Sequence, residues 1–108
     1  MVKRILIAEP NLTLRAKMFG ILATEKYEVS CVDRWYNLAR LLGNDGGGYD
    51  AAIINPVMLE MGIAEFEDQL RDFNMMFVVS GQEYNSSRPI LRHPLHLKDF
   101  LMMVDLIT

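Results

Sequence analysis

The sequence predicts an α/β domain, a parallel β-sheet with helices on both faces. Three observations carry that expectation. Short apolar runs recur along the chain, Ile5 to Ala8, Ala51 to Ile54 and Met75 to Val79, and read as strands buried on both faces. Segments with helical spacing of apolar residues alternate with them. Each of these runs stops at polar or turn residues, Glu9-Pro10-Asn11, Asn55-Pro56 and Ser80-Gly81. In open parallel sheets those strand ends are where ligands and chemistry sit.

Taken in order, Ile5 to Ala8 is the first strand, and Asn11 is a helix N-cap. The helix it opens carries Leu14, Met18, Ile21 and Leu22 on one face, tolerates Gly20, and ends near Glu25-Lys26. Glu28 to Val32 is the second strand. Asp33 is expected to cap a helix with Leu38, Leu41 and Leu42 inward, stopped by Gly43-Asn44. Gly46-Gly47-Gly48 precedes a strand and does not open a helix after one, so it reads as a loop and not as a phosphate cradle. Ala51 to Asn55 is the third strand. A helix is expected over residues 62–73 with Ile63, Phe66 and Leu70 along one side, and Glu65, Glu67 and Asp68 on its solvated face. Met75 to Val79 is the fourth strand, residues 82–88 a loop, and Ile90 to Arg92 a short fifth strand. Residues 97–107 close the chain as a helix with Leu97, Phe100, Leu101 and Val104 inward.

At 108 residues the chain makes a single domain. With 51% hydrophobic and 23% charged residues it has the composition of a folded chain. A net charge of -3 with scattered lysines and arginines gives no electrostatic case for nucleic acid. No apolar run approaches the roughly 20 residues of a membrane span. The lone Cys31 excludes an internal disulfide and a cysteine zinc site, fits a cytoplasmic protein, and reads as packing in an apolar strand.

With the strand ends placed, the chain resembles the receiver domain of bacterial response regulators, the CheY-like flavodoxin-type fold. The resemblance rests on Ile5 to Glu9, Tyr49 to Asn55, Met58 and Gly62 beyond it, Val78-Val79-Ser80, and His93-Pro94-Leu95 before the final helix. It implies a doubly wound five-stranded sheet in the order 2-1-3-4-5. In that family acidic residues after the first strand hold Mg²⁺ and an aspartate ending the third strand accepts a phosphoryl group. A Ser or Thr ends the fourth strand, and a Lys-Pro pair ends the fifth. If the likeness extends to the last of these, the His93–Pro94 bond is cis.

The departures bear most on function. The acidic pair is Glu9-Pro10, the phosphoacceptor position holds Asn55, and the lysine position holds His93; Ser80 alone matches directly. Leu59 stands where the family has proline, in a loop one residue shorter. Acyl phosphate formation needs a carboxylate nucleophile, and a carboxamide is a poor one. Mg²⁺ prefers several hard oxygen ligands, of which Glu9 would be one. An unperturbed imidazole is mostly neutral at pH 7 and does not replace a fixed ammonium charge. The resemblance therefore implies an atypical receiver, a signalling module without enzymatic activity, metal or cofactor. A working phosphoacceptor, with Asn55 standing for a substituted aspartate or Glu60 as acceptor, is the alternative. A small-ligand site at Glu9, Asn55, Ser80 and His93 is a third.

Between Ser80 and Ile90 there is no room for a normal helix, so the family's fourth helix is expected to be lost. The uncovered sheet would then bind a protein partner or a second copy, with Met75, Met76, Tyr84, Met102 and Met103 bordering the gap; the plainer reading of the four methionines is that they are core. His93 and His96 lack nearby cysteines and do not read as a zinc site. Ser80 with His93 lacks the elbow and third partner of a hydrolase. Of Trp35 and Tyr36, one ring is expected to pack and one to be partly exposed.

Overall fold

The computed structural model describes residues 2–79, 84 and 86–108. Its elements are β1 (Arg4–Ala8), α1 (Leu12–Thr24), β2 (Glu28–Val32), α2 (Trp35–Leu42), β3 (Ala51–Ile54), a short 3₁₀ turn (Pro56–Met58), α3 (Ile63–Gln69), β4 (Met75–Val79), β5 (Ile90–Arg92) and α4 (Leu97–Ile107). The strands form one sheet of 5 in the order β2-β1-β3-β4-β5, and every pairing is parallel. This is the flavodoxin-like arrangement expected.

Strand alternation sorts the core into two layers. Ile5, Ile7, Ala51, Ile53, Met76 and Val78 face α1 and α4, meeting Leu14, Met18, Leu22, Phe100 and Val104. Leu6, Ala8, Ala52, Ile54, Met75, Phe77 and Val79 face α2 and α3, meeting Leu38, Leu42, Phe66 and Leu70. The central strands are apolar at every position because both layers are dry. Trp35 packs edge-on against Phe66, with ring centroids 6.0 Å apart, while Tyr36 stays exposed.

Several expectations shift at element ends. Asn11 caps α1 as read, its Oδ1 accepting from the Leu14 N–H at 2.9 Å. Asp33 does not cap α2. The helix starts one residue later, Arg34 is the N-cap without a side-chain bond, and Asp33 instead accepts from Arg34 Nε at 3.3 Å. α3 stops at Gln69 and not at Phe73, because Leu70 leaves the helical region (φ -118°) and Phe73 turns back into the core. Leu97, expected inward, is exposed in the first turn of α4. Cys31, expected to be packed, lies on the edge strand β2 on the side of α1 and is exposed.

The glycine loop is a steric device. A Cβ on Gly47 (φ 60°) would lie 1.8 Å from the Leu41 carbonyl oxygen, and one on Gly46 would meet the Phe73 ring at 2.3 Å. Only glycine lets the chain pass this close before entering β3.

Among the described residues no helix stands between β4 and β5, as expected. The bare sheet that was to follow is not found. Met75, Phe77 and Val79, the β4 residues on that side, are fully buried. Tyr84 and Ile90 pack against the same cluster. The Arg88 guanidinium donates to the carbonyls of Leu70 (3.1 Å), Arg71 (2.9 Å) and Phe73, tying the connection to the end of α3. The Ser86 and Ser87 hydroxyls donate to the Glu67 carboxylate, which is thus engaged and not merely solvated. Among the described residues, Tyr84 and Ile90 cover this face of β4, and Arg88 holds the stretch before β5 to the end of α3. No helix among the described residues is long and apolar enough to cross a membrane.

Candidate functional site

The C-terminal ends of β1 and β3 lie side by side, and the ladder continues one step past them. The Asn55 N–H donates to the Ala8 carbonyl at 2.8 Å, and the Glu9 N–H to that of Val32 at 3.1 Å. This register puts the Glu9 and Asn55 side chains against each other. Both are buried, Glu9 to 1% exposure.

A buried carboxylate requires donors. Glu9 Oε1 and Oε2 lie 3.1 and 3.2 Å from Asn55 Nδ2, and Oε2 also accepts from the Asn11 N–H at 2.9 Å. Asn55 Oδ1 accepts from the Val57 N–H at 3.1 Å, which caps the 3₁₀ turn at Pro56–Met58. The amide is therefore oriented by partners on both sides. Its oxygen is held by a backbone donor, and its nitrogen is the end that faces the carboxylate. Glu9 and Asn55 form a closed, mutually satisfied pair, and no buried side-chain polar atom among the described residues lacks a partner.

That closure answers whether the residues suit the Mg²⁺ of the family pattern, and they do not. Both carboxylate oxygens of Glu9 are engaged by N–H donors, Asn55 presents an NH₂ group where a cation needs an oxygen, and Pro10 contributes no side-chain ligand. No group of three or more His, Cys, Asp or Glu side chains among the described residues could hold a metal ion. Glu60, the other conceivable acceptor, is exposed in the loop after the turn.

His93 ends β5, its N–H donating to the Val79 carbonyl at 3.1 Å, and its bond to Pro94 is cis. Its exposed imidazole lies at the rim of a cleft of about 650 Å³ whose lining includes Glu9, Pro10, Asn55, Val57 and Leu95. Ser80 lies outside the described residues. The structure thus gathers Glu9, Pro10, Asn55 and His93 around one cleft.

Sequence reasoning missed two cations here. Lys17 of α1 reaches across the cleft to donate to the Leu95 carbonyl at 3.3 Å. Arg15 donates to the Glu9 carbonyl oxygen at 2.9 Å. The signal for Lys17 was its position one helical turn after Thr13, which also lines the cleft.

The methionine surface needs correction. Met75 and Met76 are buried on opposite faces of β4 and cannot line an outward face. Tyr84 packs against the α2–α3 layer, whereas Met103 packs against the α1–α4 layer. The five residues are therefore split between two sides of the sheet. Met102 and Met103 instead join Leu91, Asp99 and Leu106 around a concavity of about 210 Å³ on the α4–β5 edge. Leu106 there is 73% exposed and Met102 59%.

No protein-family model matches the chain, and no curated protein matches it significantly. Solved structures do match. A response regulator receiver domain protein from Clostridium thermocellum superimposes with a TM-score of 0.82 at 13% identity, over 98% of this chain and 94% of that one. A CheY-like receiver domain protein from Methanospirillum hungatei JF-1 gives 0.78 at 17% identity, over 98% and 93%. The receiver domain of the hybrid histidine kinase CckA gives 0.76 at 21% identity, over 95% and 96%. The fold is that of the receiver domains of two-component signalling proteins.

Proposed function

We propose that the chain is a phosphorylation-independent receiver-like module that acts through protein contacts and transfers no phosphoryl group. One observation carries this reading: the Glu9–Asn55 pair, in which an amide satisfies the carboxylate that would otherwise bind a metal. Where a nucleophilic oxygen would be needed, the site offers a neutral N–H donor. His93 adds no fixed positive charge to offset a phosphoryl dianion. The contact surface in this reading is the edge where exposed Met102 and Leu106 flank half-buried Leu91 and Met103, with Asp99 beside them, which suits a protein partner or a second copy of the chain.

The test is an amide NMR titration with Mg²⁺ and beryllofluoride. The expected result is no saturable shift at Glu9, Asn55 or His93. Saturable shifts clustered at those residues would make this a working phosphoacceptor and overturn the proposal.

A further inference from the structure

The cleft beside the Glu9–Asn55 pair has a chemistry of its own. Its volume of about 650 Å³ falls within the range of small-molecule sites. Leu14, Val57 and Leu95 supply apolar wall, and Val57 is 62% exposed at the mouth. Side chains able to donate hydrogen bonds line it as well: the Thr13 hydroxyl, the Lys17 ammonium, the His93 imidazole and the Asn11 amide, while the Asn55 amide is turned to Glu9.

Lys17 is the key group. Its bond to the Leu95 carbonyl holds the ammonium at the cleft while using one of its three donors. The nearby Glu9 presents no open carboxylate oxygen to a ligand, since it is buried to 1% exposure and its oxygens accept from Asn55 and the Asn11 N–H. Arg15 donates to the Glu9 and Pro10 carbonyls and does not line the cleft, so Lys17 is its one fixed positive charge among the described residues. An acceptor-bearing anion is favoured, and a cation has no open carboxylate to meet.

One ammonium with a hydroxyl beside it matches a single negative charge better than a phosphate dianion, which calls for an arginine fork or several cations. Apolar wall rewards a ligand with an apolar body. We propose that this cleft binds a small monocarboxylate with an aromatic or branched aliphatic body, the carboxylate on Lys17 and Thr13 and the body against Leu14, Val57 and Leu95. The proposal rests on the reading that phosphoryl transfer no longer occupies these strand ends. The two fail separately, because beryllofluoride tests that reading and a carboxylate tests this one.

The experiment is an amide NMR titration of the full chain with benzoate as probe, and benzamide and inorganic phosphate as controls. Benzoate should give saturable shifts at Thr13, Lys17 and Leu95 with a Kd on the order of 1 mM. Lys17→Met, at an exposed position that leaves the fold intact, should weaken it by about tenfold, and Lys17→Arg should retain it. Four results would each overturn the proposal: no saturable benzoate shift at these residues, benzamide binding as tightly, phosphate matching benzoate, or unchanged affinity in Lys17→Met.

Discussion

Replacing Asn55 by aspartate restores the acid of the family pattern and tests the closed pair directly. Asn55 Nδ2 lies 3.1 and 3.2 Å from the two Glu9 carboxylate oxygens. In Asn55→Asp an oxygen takes that place, so a donated hydrogen bond becomes a contact between like charges. Two unit charges about 4 Å apart repel by about 4 kcal/mol at an effective dielectric of about 20. The lost charge-assisted bond was worth about 1.5–3 kcal/mol. Taking up one proton relieves much of both terms, at about 1.4 kcal/mol for each pH unit above the ordinary aspartate value of about 3.9. The net loss at pH 7 should therefore be about 2–4 kcal/mol. The sign with pH follows. The introduced acid titrates higher in the folded state than in the unfolded state, so the native variant holds more protons and the deficit grows as pH rises from about 4 toward 7. Millimolar Mg²⁺ should recover part of the loss at pH 7, since two facing carboxylates make the oxygen site that Asn55 denies. Urea denaturation at pH 4.5 and 7, with Mg²⁺ or a chelator, measures all of this. Wild-type stability at pH 7 in chelator, or a deficit independent of pH, would refute the reasoning.

Three further outcomes are expected. Gly47→Ala puts a methyl 1.8 Å from the Leu41 carbonyl oxygen at a positive φ, and should lower stability by at least about 2 kcal/mol in urea denaturation. Arg88→Ala leaves the carbonyls of Leu70, Arg71 and Phe73 without their guanidinium donor and should cost about 1–3 kcal/mol, with near-UV circular dichroism reporting loosened packing around Phe77. The Cys31 thiol is held above its ordinary pKa, chiefly by desolvation and against the pull of Arg15. Iodoacetamide should therefore label it more slowly at pH 8 than a free thiol, and Arg15→Ala should slow labelling further. Because the folded pKa is the higher one, the stability this thiol contributes is present below the unfolded pKa and is lost as pH rises through the folded value.

The fold could be read because local and global signals agree. Ile5 to Ala8 and Met75 to Val79 are apolar at every position since both of their faces are covered, and each strand ends where polarity returns. The strand order came from resemblance, as periodicity carries no information about neighbours. Errors fell where tertiary position decides. Leu97 matches the helical spacing yet lies too near the start of α4 to reach the core. Met75 and Met76 belong to the strand read as buried on both faces, and that burial withdraws them from the interface reading. Chain length alone suggests an uncovered sheet, since nothing local marks Arg88 as the residue that holds the stretch before β5 to three distant carbonyls. At the site, Glu9, Pro10, Asn55 and His93 were found by their strand-end positions. Lys17 was not, because its bond to Leu95 joins residues 78 apart.

The short β5 has a consequence for how the molecule comes apart. It contributes three residues at the sheet edge, none of them fully buried, while β1 pairs along its length with both β2 and β3. Amide protons should therefore exchange with solvent on two scales. Ile5 to Ala8 and Ala51 to Ile54 should exchange only on global unfolding, and Ile90 to Arg92 through a cheaper partial opening. His93, Pro94 and Leu95, one wall of the cleft, belong to the part that opens first. Whatever bridges Lys17 and Leu95 would then act as a latch across two cooperative units. Its presence would be recorded as slowed deuterium uptake in β5, with no change at the centre of the sheet.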